Sequence, residues 1–568
     1  DDFELIRSQR RTAERVTVWD AKAGGNNLKW GEQKNWPVVW EAGQALGGTP
    51  VFQTRHLAGM FHPADGGLNI YALDHDGKAN PRGALAPSPA FKATSATLVK
   101  SGERTGIRVN GENGQEAYTA WLLPSGVIRV EAKQVPRFTV RDAHVRHAIL
   151  PSFAGTDLVY SAGKISGDKA VNIPSTQWLT GLVAGNDCML VTVWDSDAQA
   201  VTLGATGEGD KRVIDSLTID TTKGGVAVSF VEHANLWHQE KLLEDWLGDY
   251  TPISWTRPFP ARWHGEFFAT PGGEPTFKEP FMAYSFPVAN AKTRMWGAWF
   301  EDWNHYPFYL DGPKTVVHFE KSFVPTGDAL IYFLEPAAAD LYSPVEIVEQ
   351  ALGVEKAAAL LDFEANRLRQ LAYSTPNEFM YDRPVCATTT RLGKIKAEDK
   401  PTVGVNLATH LYEFIREIRG RVDQYNTWFA QTRDYLAREQ AAHPGLKTYV
   451  AELDALLAEG QARAKSAYNT PLANVEAKTD AMKKQLSEGK GDGFDCGSLD
   501  VRGPAGTQDD LCRRFNRLVL RLTQTAALKC DDSPEKAVIA KHIWDESRAL
   551  LRRPTRWEPR RTLYFFEP

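Results

Sequence analysis

The apolar residues of this chain change period once, near residue 340, and that switch narrows the folds open to it more than any other feature. Before it, short runs alternate apolar and polar residues and are punctuated by Gly, Asn, Asp and Pro: RVTVWDAK, GIRVNG, AYTAWLLPSGVIRVEAK, CMLVTVWDS, AVTLGAT and GGVAVSFVEH. In GVIRVEAK, Val127, Arg129 and Glu131 oppose Ile128, Val130 and Ala132, the signature of a strand with one face buried. Many such strands at short spacing predict a large antiparallel β-sandwich over residues 1–250, with a smaller Trp-rich β unit over 251–340.

After LEPAAADLYSPVEIVEQALG the pattern becomes helical. Ser343 is placed to cap a helix and Pro344 to occupy its first turn. In ATHLYEFIREIRGRVDQYNTWF the apolar positions Leu411, Ile415, Ile418, Val422, Tyr425 and Phe429 form a stripe that calls for lengthwise packing against other helices. Further helices are expected near 446–467, 471–487, 508–528 and 534–552. The expected fold is therefore multidomain, a β-sandwich region followed by a C-terminal antiparallel helical bundle over 341–568. A length of 568 residues, beyond what one core usually organises, agrees with several domains.

Composition removes several function classes. A net charge of −5 is far from the concentrated basic surface that nucleic acid demands, and the one basic run, RALLRRPTRWEPRR, reads as a solvated helix end with its tail. No run approaches the 18 apolar residues of a membrane span. There is no GxSxG elbow, Walker loop, HExxH or strand–GxGxxG–helix fingerprint, and the helical part has no paired ExxH motifs. Glu232, His233 and His238 miss zinc spacing, so no metal ligands are assigned. The acidic loops DHDG at 74–77 and GDGFD at 491–495 carry oxygen donors suited to a structural Ca²⁺, but lack the EF-hand spacing and read more simply as turns. No other cofactor is expected. The chain begins at Asp1 rather than Met, as removal of a leader or trimming would leave it. Cys496, Cys512 and Cys530 cluster late, and an exported protein could join two of them.

Fourteen of the 17 Trp residues precede residue 340, and aromatic residues crowd titratable ones most densely between Trp255 and Asp311. In WTRPFPARWHGEF, strand alternation puts Arg262, His264 and Glu266 on one face and Trp263 on the other. A cation, an imidazole and a carboxylate in one row are parts of an acid/base site, and the plain alternative is a charged strand face in solvent. In MWGAWFEDWNHYPFYLDG, Asp302, His305 and Tyr306 are further catalytic candidates, with Trp299, Trp303, Tyr309, Asp311 and Trp263 as substrate contacts. Here the plain alternative is a polar turn between core strands. Flat sugar faces stack on aromatic rings while their hydroxyls seek charged partners.

These residue types point to an enzyme that cleaves glycosidic bonds in an oligo- or polysaccharide. Hydrolysis would use two carboxylates, whereas β-elimination would use a Tyr or His base beside a neutralised uronate. The expected location is secreted, periplasmic or cell-surface. The alternative is a non-catalytic extracellular glycan-binding or scaffold protein, and the sequence leaves the oligomeric state open.

Overall fold

A computed structural model describes residues 16–21, 33–74, 76–102, 104–151, 157–165, 167, 169–241, 250–256, 261–267, 281–286, 295–299, 305–311, 314–320, 328–336, 341–361, 400–467 and 511–552, with a few positions between 477 and 488. The described strands come first and the long helices last, as the change of period predicts. By internal contacts the chain divides into two compact units, Asp1–Asp362 with Cys530–Lys541, and Phe363–Lys529 with His542–Pro568.

In the first unit a large antiparallel sheet holds β1 (Thr17–Ala21), β2 (Ala45–Leu46), β3 (Thr49–Gln53), β4 (Leu57–His62), β5 (Gly67–Leu73), β6 (Ala79–Ser88), β7 (Ser95–Ser101), β8 (Arg104–Asn110) and β9 (Glu116–Leu122). It continues with β10 (Ile128–Ala132), β11 (Arg137–Leu150), β12 (Leu158–Ser161), β13 (Val171–Ile173), β14 (Trp178–Val183), β15 (Cys188–Trp194), β16 (Val201–Thr206), β17 (Val213–Asp220) and β18 (Val226–Glu232). Strand β11 joins its two parts. Arg137–Arg141 pair with β6 and β17, and after a bulge the strand from Val145 onward pairs with β14 and β12. Asp142 and His144 take positive φ in that bulge (58° and 50°) and are exposed, so the simple alternation that would group them with Arg146 does not hold there.

Strand β15, CMLVTVW, is buried at every position, as a nearly continuous apolar run requires when both faces are covered. Met189, Val191 and Val193 share a core with Leu330–Leu334 and with Val345, Ile347 and Val348 of α1 (Pro344–Leu352). Ser343 caps α1 with a reciprocal box. Its hydroxyl accepts from the Glu346 N–H (3.2 Å) and its own N–H donates to the Glu346 carboxylate (2.9 Å). A short α2 (Val354–Leu361) follows, and Arg129 donates to the Ala351 carbonyl while forming a two-pronged pair with Asp195 (2.8 and 2.9 Å).

A second, eight-stranded antiparallel sheet comprises β19 (Trp237–Lys241), β20 (Tyr250–Thr256), β21 (Ala261–Phe267), β22 (Phe281–Phe286), β23 (Met295–Trp299), β24 (His305–Asp311), β25 (Lys314–Glu320) and β26 (Asp328–Pro336), in the order β19-β26-β21-β22-β23-β24-β25-β20. The unit is completed by residues from late in the chain. The Asp531 carbonyl accepts from the backbone and side-chain N–H groups of Asn172 (2.9 and 3.1 Å), and Lys541 pairs with Asp197 (3.6 Å). Cys530 is a buried thiol that donates to the Asn172 carbonyl (3.6 Å), so a bridge among the three late cysteines does not use it.

In the second unit, α3 (Lys400–Ala442) packs on α4 (Lys447–Ala467) and α5 (Leu511–Leu528); the last described helix, α6 (Pro534–Arg552), belongs to the first unit up to Lys541 and to the second from His542. The stripe seen in sequence is the buried one at Val422, Tyr425 and Phe429, with Tyr425 stacked on Phe515 at 4.9 Å. The helix expected at 471–487 and the loop GDGFD fall largely or wholly outside the described residues. No helix among the described residues is long and apolar enough to cross a membrane.

Candidate functional site

The aromatic, titratable segment folds as consecutive strands of the eight-stranded sheet, and its pairing fixes which positions align. His264 on β21 is opposite Tyr332 on one side and Tyr284 on the other. Tyr284 in turn pairs with Trp299, and Trp299 with His305. One line of register positions therefore runs Trp237, Tyr332, His264, Tyr284, Trp299, His305 across six strands. Positions directly opposite one another on antiparallel strands lie on the same face.

Along β21, Arg262, His264 and Glu266 occupy alternate positions opposite Glu335, Tyr332 and Leu330. The register steps by two on β21 and by three on β26 between Arg262 and His264, so the extra residue lies on β26 and alternation along β21 continues. On β24, Tyr309 and Asp311 have the parity of His305, whereas Tyr306 pairs with Ala298 at the alternate position. Trp263 likewise alternates with His264. Asp302 and Trp303 lie outside the described residues. The pairing thus aligns His264, Trp299 and His305, and sets Trp263 and Tyr306 apart from them. At about 4.8 Å per strand, the two histidines stand about 14 Å apart along the line.

The inner end of the line is fully described. Tyr332 is buried, and its hydroxyl makes a short hydrogen bond to the Asp157 carboxylate. Trp237 donates its ring N–H to the Val183 carbonyl (2.9 Å) and meets His147 edge-on at 5.8 Å. His147 Nδ1 shares a 2.9 Å hydrogen bond with the Ser161 hydroxyl. Burial, reinforced by Arg146 and opposed by a hydrogen bond with Gln239, pulls the imidazole down to about 4, so His147 is neutral near neutral pH. Sequence reasoning did not connect Asp157 or His147 to this segment, because only long-range pairing does so.

A second polar cluster, assembled at hairpin turns of the large sheet, surrounds a cavity of about 300 Å³. Arg55 and His56 come from the β3–β4 turn, Asp74 and Gly77 from the β5–β6 turn, and Ser125 from the β9–β10 turn. The end of β18 contributes Ser229 through Glu232, and the approach to α1 contributes Leu341 and Tyr342. Each turn is fixed locally. Asp74 Oδ1 accepts from the N–H groups of Asp76 (3.1 Å) and Lys78 (2.9 Å), and Gly77 closes that turn at φ 75°. Thr54 bonds both ways with Leu57, and the Ser229 hydroxyl donates to the Gly126 carbonyl (2.8 Å).

Glu232 is held by Arg82 through Nε (2.9 Å) and Nη2 (2.8 Å) and by the Asn80 amide (2.7 Å). His56 meets Tyr342 edge-on at 5.6 Å, and Ser125 makes a short hydrogen bond to Gln350. Opposite Glu232 in register, Cys188 is a buried thiol pushed far above its ordinary pKa, chiefly by desolvation, which makes it unreactive. The DHDG loop, considered from its composition as a calcium site, uses Asp74 to hold its own backbone. Among the described residues no group of three or more His, Cys, Asp or Glu is arranged to hold a metal ion.

No protein-family model matches this chain, and comparison with curated proteins finds no match.

Proposed function

We propose that this chain is a carbohydrate-active protein that cleaves glycosidic bonds in an oligo- or polysaccharide, by hydrolysis or β-elimination, along the face of the eight-stranded sheet that carries His264 and His305. One observation carries the reading. The register sets Tyr284 and Trp299 between two histidines on a single line. Sugar rings stack on such aromatic positions while imidazoles serve as proton donors and acceptors near neutral pH. Arg262 and Glu266 flank His264 at alternate positions, suited to neutralising a substrate carboxylate and to tuning the imidazole. Asp302, Tyr306, Tyr309 and Asp311 complete the proposed set. The reading treats the β part as a sandwich carrying the site and the helices as an appended bundle, in a protein located at the cell surface, in the periplasm or outside the cell.

The test is a polysaccharide panel assayed for new reducing ends and for absorbance of unsaturated uronates. Reducing ends with that absorbance identify a lyase and point to a Tyr or His base. Reducing ends alone identify a hydrolase and point to the carboxylates. His264→Ala or His305→Ala is expected to lower turnover at least a hundredfold with the fold unchanged, and full activity in both variants would overturn the assignment.

The separation of the two histidines favours one alternative, a non-catalytic glycan-binding surface. About 14 Å exceeds the roughly 5–9.5 Å between groups that share one glycosidic bond, but it suits contacts to successive sugars. Silence in both assays together with retention on a glycan column would establish that alternative.

A further inference from the structure

Register sorts the charges of the eight-stranded sheet as well as its aromatic positions. On the face that carries His264 and His305, the described strands hold three Lys or Arg residues, and each stands directly opposite a carboxylate. Lys241 on β19 is opposite Asp328 on β26, Arg262 on β21 is opposite Glu335 on β26, and Lys314 on β25 is opposite Asp311 on β24. Unlike charges at directly opposed positions attract, so each cation already has an anion at its own place in the sheet. Two further carboxylates of that face have no cation opposite among the described strands. Glu266 lies between Leu330 and Met282, and Glu320 is opposite Tyr250 at the far end of the sheet. We propose that this face takes a neutral polysaccharide and hydrolyses it, with Glu266 as the carboxylate that activates water. The proposal rests on the glycan-cleaving reading above and narrows it to one substrate class and one reaction.

Charge decides the substrate class. β-Elimination removes the proton beside a uronate carboxylate, and that carboxylate must be neutralised as the carbanion forms. Arg262 flanks His264 and is the cation such a step would call on, but its place opposite Glu335 commits it within the sheet. A polyuronate would bring more negative charge to a face that holds five carboxylates against three cations in the described strands. A chain of neutral sugars carries no such penalty, and its rings stack on aromatic positions such as Tyr284 and Trp299. Spacing decides the reaction. His264 and Glu266 are alternate residues of β21, about 7 Å apart along the strand. That falls within the roughly 6.5–9.5 Å that leaves room for a water beside one glycosidic bond, which the two histidines exceed. In the step proposed, Glu266 takes a proton from water as the water oxygen bonds to the anomeric carbon and the glycosidic C–O bond breaks. His264 gives its proton to the departing sugar oxygen.

The experiment compares kcat/KM of the full chain on galactan, mannan, xylan and β-glucan with that on polygalacturonate and alginate. At least one neutral polymer is expected to be cleaved at least tenfold more efficiently than either polyuronate, with new reducing ends and no unsaturated uronate. Glu266→Gln should lower that turnover at least a hundredfold. Glu335→Gln removes the anion opposite Arg262, so trigalacturonate should inhibit this variant about tenfold more strongly than the parent chain. Melting temperatures verify that both variants fold, and the substrate comparison on the parent chain needs neither. The proposal is overturned by a polyuronate cleaved as efficiently as the best neutral polymer, by unsaturated products, by full activity of Glu266→Gln, or by inhibition indifferent to Glu335→Gln. Each of those results leaves the glycan-cleaving reading standing, whereas cleavage of no polymer at all removes that reading and this one with it.

Discussion

Glu232 shows how a carboxylate at the edge of a core is kept. Three donors from Asn80 and Arg82, both on β6 and about 150 residues earlier, saturate it while its side chain is only 12% exposed. Arg82→Ala strips two of those donors and leaves a largely buried charge, at an expected cost of about 2–3 kcal/mol. Urea unfolding of the variant checks it, and Arg82→Ala combined with Glu232→Gln should cost less than the sum of the two single changes. His147 makes a second prediction at this scale. Its folded pKa of about 4 lies below the ordinary 6.5, so the folded state prefers the neutral ring and the unfolded chain takes up the proton first. Its contribution is complete above pH 6.5 and declines as pH falls towards 4, by up to about 3 kcal/mol. His147→Gln should flatten the stability–pH profile across that window.

Among elements, α1 and the α3–α4 contact depend on small features. Ser343→Ala removes half of a capping box and is expected to cost about 1 kcal/mol, and Glu346→Ala in the same chain should add to that loss, because it removes the other half, the acceptor of the residue 343 N–H. Gly460 lies on α4 where a Cβ would come within 2.5–2.8 Å of the Phe429 ring on α3. Helix propensity alone would make Gly460→Ala stabilising by about 1 kcal/mol. Overpacking against a fully buried ring opposes it by about 1–3 kcal/mol, so a net loss is expected in thermal unfolding. Phe429→Leu in the same chain should recover part of that loss.

For the molecule as a whole, the two units make a clear statement about additivity. Arg82→Ala lies in one unit and Gly460→Ala in the other, with no shared partner, so their effects on stability should add within about 0.5 kcal/mol. The order of strands then helices is written in local periodicity, and so are the Ser343 cap and the buried stripe on α3. Pairing is not. His264 and His305 are 41 positions apart in the chain, and their shared line depends on β22 and β23 lying between them, which no local pattern specifies. The parity of Arg262, His264 and Glu266 was legible because alternation is a property of one strand. The cavity was not, because its lining comes from separate turns, β18 and the approach to α1.

The return of Cys530–Lys541 to the first unit gives synthesis a timetable. The rest of that unit has been made by Asp362, yet the segment that pairs with Asn172 and Asp197 follows about 170 residues later. At ordinary elongation rates of about 5–20 residues per second, the nascent β unit waits roughly 10–30 s with that edge uncovered. A ribosome stalled before Cys530 would therefore hold a β unit still missing its last piece, and protease sensitivity of the loops around Asn172 and Asp197 should persist until Cys530–Lys541 has been made and has emerged.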